Sequence, residues 1–219
     1  MQLTRILELI RKDFILEIRN AQTISAIILF TFTVSFIVYK SFNVLQAQSW
    51  NVMLWIVTLF SLLNSLVKSF NGDAAKTGIF YYSLYHPTEV ILAKIVYNYF
   101  LSLFVFSLIY LAFSFLLENH VRDHALFTSG ALLGILGISV TFSFVSAIIA
   151  SQENGMVLLM AVLALPLTLP CMLVMIKISS VALGLMVDSS VYQDLMILGG
   201  IDLLLLSMVF LLFNQLWKA

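Results

Sequence analysis

The sequence predicts an all-α integral membrane protein of six transmembrane helices, preceded by an N-terminal amphipathic helix in the membrane interface. Of its 219 residues, 62% are hydrophobic and only 10% are charged, and the mean hydropathy is +1.06. Soluble domains carry about 25% charged residues, so this composition is typical of a membrane protein. We expect residues 1–219 to form a single transmembrane domain.

Residues 1–20 predict a helix that lies along the membrane and leads into the first span. Apolar residues recur on one side at helical spacing, and charged residues occupy the other side. The apolar positions are Leu3, Ile6, Leu7, Ile10, Phe14 and Ile18, and the charged positions are Arg5, Glu8, Lys12 and Arg19. Such a helix is suited to the membrane interface. The alternative is a solvated helix, which would need a protein partner to cover its apolar side.

Six apolar runs are long enough to cross about 30 Å of hydrocarbon, which takes about 20 residues. They are Gln22–Tyr39, Trp50–Val67, Val90–Leu117, Leu126–Ala150, Gly155–Ile176 and Leu195–Phe213. Trp50 and Trp217 stand at span ends, where tryptophans anchor helices at the interface, and Lys94 is long enough to reach back to the headgroups. The segment 178–194 is too polar for a further span, and its composition is interfacial.

The distribution of Lys and Arg predicts that both termini are cytoplasmic, because cytoplasmic loops carry an excess of these residues. Eight of the eleven fall on the side of the N-terminus: Arg5, Arg11, Lys12, Arg19, Lys68, Lys76, Lys94 and Lys218. Three fall on the other side: Lys40, Arg122 and Lys177. The net charge is zero, which gives no indication of a nucleic-acid partner.

The segment GDAAKTGIFYYSLYHPTEVILAK, residues 72–94, interrupts the apolar pattern on the predicted cytoplasmic side. We expect Gly72 to end the second span, Asp73 to cap a short helix through Lys76, and Gly78 to break it.

The same segment carries a cluster of aromatic residues before the next helix begins. Pro87 at a first helical position is expected to restart the helix, because its ring fixes a helical φ angle. The cluster consists of Phe80, Tyr81, Tyr82 and Tyr85. Tyr and Phe are residue types that anchor protein interfaces, so the cluster predicts a docking element. The alternative is an aromatic belt at the headgroups.

Pro166 and Pro170 lie four residues apart, and hence on one face of the fifth span. Each lacks an N–H, which leaves the carbonyls of Val162 and Pro166 without helical partners. In lipid such carbonyls are expected to face protein or water. The pair therefore predicts a kink that fits the helix to its neighbours, or a bend that lines a substrate path or a dimer seam.

Three further polar residues are candidates for a function. Asp202 follows Gly199 and Gly200, about 10 Å into the sixth predicted span. It is expected to face the bundle or the outer interface, with a functional role as the alternative. His120 and His124 would share a face if helical, and are weak candidates to bind a metal or heme iron, whereas a solvated loop is the simpler interpretation.

The six-span order, the segment 72–94 and, above all, NGMVLLMAVLALPLTLPCMLVM in the fifth span resemble the CcmB family, the heme exporter proteins of cytochrome c maturation. The resemblance extends over essentially the whole chain. Its most specific part is Leu165-Pro166-Leu167 followed by Pro170.

This resemblance implies a permease component similar to those of ABC-2 type exporters, in a bacterial inner membrane. Its partners would be a cytoplasmic ATPase called CcmA and the membrane proteins CcmC and CcmD, with two copies of this chain per complex. The segment 72–86 would be a coupling helix in a groove of the ATPase. The segment 178–194 would form short helices on the outer face. The ATPase-coupling residues would be Asp73, Lys76, Gly78, Phe80, Tyr81, Tyr82 and Tyr85.

The expected function is to couple ATP hydrolysis by the separate ATPase either to heme export or to release of a heme-loaded chaperone. No cofactor is expected to bind tightly, heme being a possible substrate. The sequence has no phosphate-cradling glycine loop and no catalytic arrangement, so we do not expect this chain to be an enzyme. The alternatives are an ABC-2 type permease for a lipid-linked glycan or drug, and a non-transporting membrane scaffold.

Overall fold

The computed structural model describes the backbone of residues 3–19, 21–42, 45–84, 86–149 and 156–216. These ranges contain seven helices and no strand, which confirms the predicted all-α class. The helices are α1 Leu3–Arg19, α2 Ala21–Ser41, α3 Ala47–Leu84, α4 Pro87–Leu116, α5 His124–Ile149, α6 Met156–Ala182 and α7 Val191–Leu216.

Among the described residues, six helices contain a segment long and apolar enough to cross a membrane. These segments are Ile24–Ser41, Ala47–Leu66, Pro87–Leu116, His124–Ser146, Val162–Ala182 and Val191–Leu212. Each overlaps one of the six predicted spans, with ends shifted by several residues. An even number of spans puts α1 and the end of α7 at one side of the bundle, which we call the terminal side. We call the other side, with residues 117–123 and 183–190, the opposite side.

The helix α1 forms over Leu3–Arg19, where the amphipathic pattern predicted it. Ile6 and Leu9 are buried against Ala93 of α4. Leu7 and Ile18 belong to the same apolar side, yet they are 62% and 68% exposed. The apolar side is therefore wider than the contact with α4, and its uncovered part is suited to the membrane interface.

The helix α5 lies at the centre of the bundle, in contact with α3, α4, α6 and α7. Small residues let its neighbours approach closely, as is common between transmembrane helices. Gly130, Gly134 and Gly137 recur along α5 at helical spacing. A methyl group at these three positions would overlap, in order, the side chains of Ile178, Met175 and Asp202. The glycines thus set the packing distance between α5 and both α6 and α7.

Two predicted features of the backbone are wrong. The helix α3 does not end at Gly72 or break at Gly78, but continues to Leu84 as one helix of 38 residues. The segment 178–194 does not form separate short helices, because α6 extends to Ala182, α7 begins at Val191, and turns connect them. Apolar residues such as Val181 and Ala182 prolong the helix α6 beyond its predicted end.

Two predicted interfacial side chains are instead buried. Trp50 is fully buried, and its ring packs edge-on against Phe113 and Tyr110. Lys94 is not exposed as a headgroup anchor would be, because it is buried beside α1 and pairs with Asp13. The other predicted anchor, Trp217, lies outside the described residues.

Candidate functional site

The proposed docking segment is located on the part of α3 that extends beyond its membrane-spanning residues. A helix of 38 residues is about 57 Å long, whereas the hydrocarbon of a bilayer is about 30 Å thick. Residues 67–84 therefore continue α3 for about 27 Å past the apolar segment Ala47–Leu66 at the terminal side. The backbone of Asp73, Lys76 and Gly78 lies in this extension.

The aromatic cluster is described only in its backbone. Phe80, Tyr81 and Tyr82 belong to the last turns of α3, and their side chains, like those of residues 67–84 in general, are outside the described part of the structure. Tyr85 lies outside the described residues altogether. Successive residues of a helix are about 100° apart around its axis, so these three positions point in different directions. The predicted role of the seven coupling residues stays a prediction.

The helix α4 begins immediately after this segment, as its sequence predicts. Pro87 occupies the first turn, and the backbone N–H of His86 donates a hydrogen bond of 3.4 Å to Oε2 of Glu89. Glu89 also places a negative charge near the N-terminal end of the helix, where the helix dipole is favourable to it. The start of α4 is thus fixed by local interactions, and two residues separate it from the end of α3.

A buried ion pair joins α1 to α4 near the same place. Nζ of Lys94 lies 3.3 Å from Oδ2 of Asp13, and each side chain is 7% exposed. Nζ of Lys12 lies 3.1 Å from the other oxygen of Asp13. The aromatic ring of Phe14 packs edge-on against Tyr97, with centroids 5.2 Å apart. These contacts attach the interfacial helix to the first turns of α4.

A hydrogen-bond network joins α3 to α6 towards the opposite side. Nδ2 of Asn51 donates to the carbonyl oxygen of Ile176 at 3.1 Å and to Oγ of Ser180 at 2.9 Å. Oγ of Ser179 donates to Oδ1 of Asn51 at 2.7 Å and accepts a bond of 2.8 Å from Nε1 of Trp55. The helix that projects at the terminal side is therefore held to α6 at its other end.

A polar cavity of about 170 Å³ lies between α2 and α3. It is lined by Ala26, Ile27, Phe30, Thr31, Ser61, Asn64 and Ser65. The hydroxyl oxygens of Thr31 and Ser61 are buried and have no hydrogen-bond partner within the described part of the chain. Since a water molecule occupies about 30 Å³, the cavity has room and polar groups for several waters. Sequence reasoning missed this cavity, although its hydroxyl and amide residues recur in two spans.

The two prolines of the fifth span lie within the helix α6, as predicted. Pro166 and Pro170 are both exposed at the outside of the bundle, next to Leu169 and Leu173, which are 54% and 68% exposed. The prolines thus belong to the outer surface of the chain. Their participation in a substrate path or in a seam between subunits stays a prediction.

The two histidines of the opposite side do not share a helix face, so this part of the metal prediction is wrong. Residues 118–123 are not helical, and His124 is the first residue of α5. Nε2 of His120 lies 3.1 Å from the carbonyl oxygen of Leu45, and its ring packs edge-on against Trp50. Among the described residues, no group of three or more His, Cys, Asp or Glu side chains is arranged to hold a metal.

Asp202 lies deeper than predicted. The helix α7 begins at Val191, so Asp202 is its twelfth residue, about 16 Å along the axis and near the middle of the span. Its side chain faces the bundle, as expected, and the residue is only 2% exposed. Gly199 and Gly200, which precede it, have open space around them.

A charged cluster joins α6 to α7 at the opposite side. Nζ of Lys177 lies 2.9 Å from Oδ2 of Asp188 and donates a hydrogen bond of 3.0 Å to Oδ1 of Asp194. Ser190 donates to Oδ1 of Asp188 from its hydroxyl at 2.5 Å and from its N–H at 2.8 Å. The hydrogen bonds from Ser190, followed by that from Lys177, lower the pKa of Asp188 to about 2. The cluster closes the turn between the two helices.

In the part of the chain that the structure describes, six candidate spans, an amphipathic helix before them and a long helix projecting at the terminal side define a multi-pass α-helical membrane protein. The chain belongs to the CcmB family, whose model matches residues 4–214, nearly its whole length. This membership makes it a membrane component of the ABC transporter of cytochrome c maturation. Comparisons with curated proteins and with solved structures found no significant match.

Proposed function

We propose that this chain transmits the ATP-driven movement of a separate cytoplasmic ATPase, similar to CcmA, to the membrane part of a cytochrome c maturation complex. The observation that carries the proposal is the match of residues 4–214 to the CcmB family. The movement serves heme export or release of a heme-loaded chaperone, with heme as substrate rather than resident cofactor. CcmC-like and CcmD-like proteins complete the complex, in which this chain is present in two copies.

The ATPase docks on the extension of α3 at residues 72–84 and on the short connection to α4. Support comes from the length of α3, since about 27 Å of helix beyond the apolar segment gives a partner a rigid element to hold. Between α5 and α6, on the same side, only residues 150–155 separate the two helices, fewer than the 18 residues of the α3 extension. A rigid rod held at one end transmits a push better than a loop does.

Two sets of contacts carry the movement from the docking segment into the bundle. The start of α4, at Pro87 and Glu89, follows the segment directly. Further along α4, Lys94 forms the ion pair with Asp13 of α1. The network around Asn51 holds the far end of α3 to α6. A displacement of residues 72–84 therefore turns α3 about this network and moves α1 together with α4.

Replacing Tyr81 and Tyr82 together with alanine tests the docking role. Aromatic anchors at the centre of an interface often cost about 2 kcal/mol or more when truncated, which is about thirty-fold in affinity. We therefore expect the double variant to lose the ATPase on purification and to abolish cytochrome c maturation. Its amount in the membrane should stay normal, because insertion depends on the six spans.

The matched control is the double variant His120→Ala, His124→Ala, which removes two aromatic side chains at the opposite side. It should retain the ATPase. If the tyrosine variant also retained its ATPase and matured cytochromes normally, the aromatic residues would form only an interfacial belt.

Purification of the complex distinguishes the proposed function from that of a permease for glycans or drugs, because a CcmC-like partner is expected only in a cytochrome c maturation complex. A scaffold would keep full function with an inactive ATPase.

A further inference from the structure

Asp202 is a carboxyl group buried in the middle of a membrane-spanning helix without any partner for its charge among the described residues. The residue is 2% exposed, and neither carboxylate oxygen has a hydrogen-bond partner in the part of the chain that the structure describes. By contrast, the buried carboxylate of Asp13 has Lys94 and Lys12 beside it. Asp202 is thus a titratable group that the proposed function does not use.

The surroundings of Asp202 are tight. Oδ1 faces Gly137 of α5 so closely that a methyl group at that glycine would overlap it, and the same methyl group would lie 2.9 Å from Sγ of Cys171 in α6. Cys171 itself is fully buried. A niche in which one methyl group does not fit has no room for a hydrated cation. Among the described residues no group of His, Cys, Asp or Glu side chains is arranged to hold a bare metal ion either, so the ligand that this carboxyl can take in the packed arrangement is a proton.

The neighbouring helices, as far as the structure describes them, provide no charge that could stabilise an ionised carboxylate here. The titratable side chains that interact with Asp202 are Tyr99 of α4 and Cys171 of α6, both of which are ordinarily neutral at pH 7. The helix α5 has no ionisable residue after His124, and on α7 the nearest is Asp194, which is bonded to Lys177 at the opposite side.

An unpaired carboxylate in an apolar interior is unfavourable enough that such groups take up a proton instead of remaining charged. We propose that Asp202 is an intramembrane proton-binding site, occupied while α7 packs against α5 and α6 and emptied when α7 separates from them. Proton release leaves a carboxylate that needs water around it, and water requires the niche at Gly137 to open. By linkage, movement of the helices changes proton affinity and pH changes the helix arrangement. This inference does not depend on the identity of the substrate or of the ATPase.

Infrared spectroscopy tests the bound proton directly. The full chain is purified and placed in lipid nanodiscs at pH 7, where the C=O stretch of a protonated carboxylic acid is resolved from the bands of ionised carboxylates. We expect a protonated-acid band that is lost in Asp202→Asn. The control Asp188→Asn, which changes a carboxylate paired with Lys177, should keep the band. Absence of the band, or its persistence in Asp202→Asn, would overturn the proposal.

Cys171 is the only cysteine in the sequence, so it reports on the opening of the niche. Its labelling by a maleimide is measured between pH 6 and 9 in the wild-type chain and in Asp202→Asn. Both rates rise with pH because thiolate forms. In the wild type the carboxylate of Asp202 repels that thiolate, so we expect a rise several-fold steeper than in Asp202→Asn only because proton release opens the niche and exposes Cys171. Identical pH profiles in the two proteins would refute the coupling of proton release to helix separation.

Discussion

Lys94 shows how one residue can be placed correctly in a span and still be misinterpreted. Its long aliphatic chain predicted that the amine would reach the headgroups. In the structure α1 packs against α4, and Asp13 of α1 provides a buried partner for the amine. The sequence could not indicate this contact, because it joins residues 81 positions apart. Spans follow from local hydrophobicity, whereas pairs of this kind depend on tertiary packing.

The buried pair leads to a prediction about single and double variants. Replacing Lys94 with methionine leaves the carboxylate of Asp13 with one of its two lysines in a nearly closed site, so the cost should be a part of the roughly 3 to 5 kcal/mol that leaving a buried charge without any partner produces. We expect Lys94→Met to lower the melting temperature in detergent. The double variant Asp13→Asn, Lys94→Met removes both charges and should recover most of the loss. Equal melting temperatures for the wild type and Lys94→Met would contradict a structural role for the pair.

The lowered pKa of Asp188 leads to a prediction about how the turn between α6 and α7 responds to acid. Its pKa is lowered to about 2, chiefly by Ser190, while an unfolded aspartate has a pKa of about 3.9. A lowered pKa means that the stabilisation is fully present above pH 4 and is lost as the pH falls through about 2. Proteolysis of residues 183–190 should therefore be constant from pH 8 to 5 and increase below pH 4, measured with an acid-tolerant protease. Asp188→Asn should show a flatter acid response, and an increase already at pH 6 would argue against this assignment.

Most helices were predictable because their signals are local. The amphipathic period of residues 3–19 and the Pro87 start of α4 both appear in the structure where the sequence places them. The two glycines of α3 were misleading. A glycine inside a helix costs only about 1 kcal/mol relative to alanine, so a helix that is well formed on both sides passes through it. Gly72 and Gly78 mark weak positions of α3 and not its end.

Gly78 therefore gives a test of whether the docking element is a continuous helix. Gly78→Ala removes the flexibility of this position and favours the helix by about 1 kcal/mol, so we expect normal ATPase retention and normal cytochrome c maturation. Gly78→Pro breaks the helix, at a cost of about 3 kcal/mol or more, and should abolish both ATPase retention and cytochrome c maturation. Copurification and a cytochrome assay measure the two effects. If Gly78→Ala were the inactive variant, a turn at this glycine would be needed, and the continuous α3 would not be the working form.

At the scale of the whole molecule, hydrophobicity determines which segments cross the membrane but not which of their faces meet. Trp50 and Asp202 are both at positions where the sequence allowed a lipid or interface location, and both are buried. Asp202 is buried because the glycines of α5 at 130, 134 and 137 let α6 and α7 approach, whereas Trp50 is covered by the rings of Tyr110, Phe113 and Phe127. A single sequence contains these glycines but not the identity of the helices that pack against them.

The six spans also fix the relation between the two termini, and the basic residues predict their side. Because the described part of the chain has an even number of candidate spans, α1 and the end of α7 lie at the same side of the bundle. Eight of the eleven Lys and Arg residues are on that side, and this excess favours the cytoplasm irrespective of ion pairs, since the rule counts basic residues and not net charge. The extension of α3 is at the same side, which in the predicted orientation is the side where the proposed ATPase has access to ATP.

Reporter fusions at two positions test this orientation. We expect a fluorescent protein fused after Lys218 to be bright and alkaline phosphatase fused there to be inactive, because the first folds only in the cytoplasm and the second only in the periplasm. Alkaline phosphatase inserted in the turn 183–190 should be active, which provides the matched control from the opposite side. An active phosphatase after Lys218 would place the extension of α3 on the periplasmic side of the membrane, where a cytoplasmic ATPase cannot contact it. The extension of α3 could then not be the coupling element, and the proposed transmission of movement would fail with it.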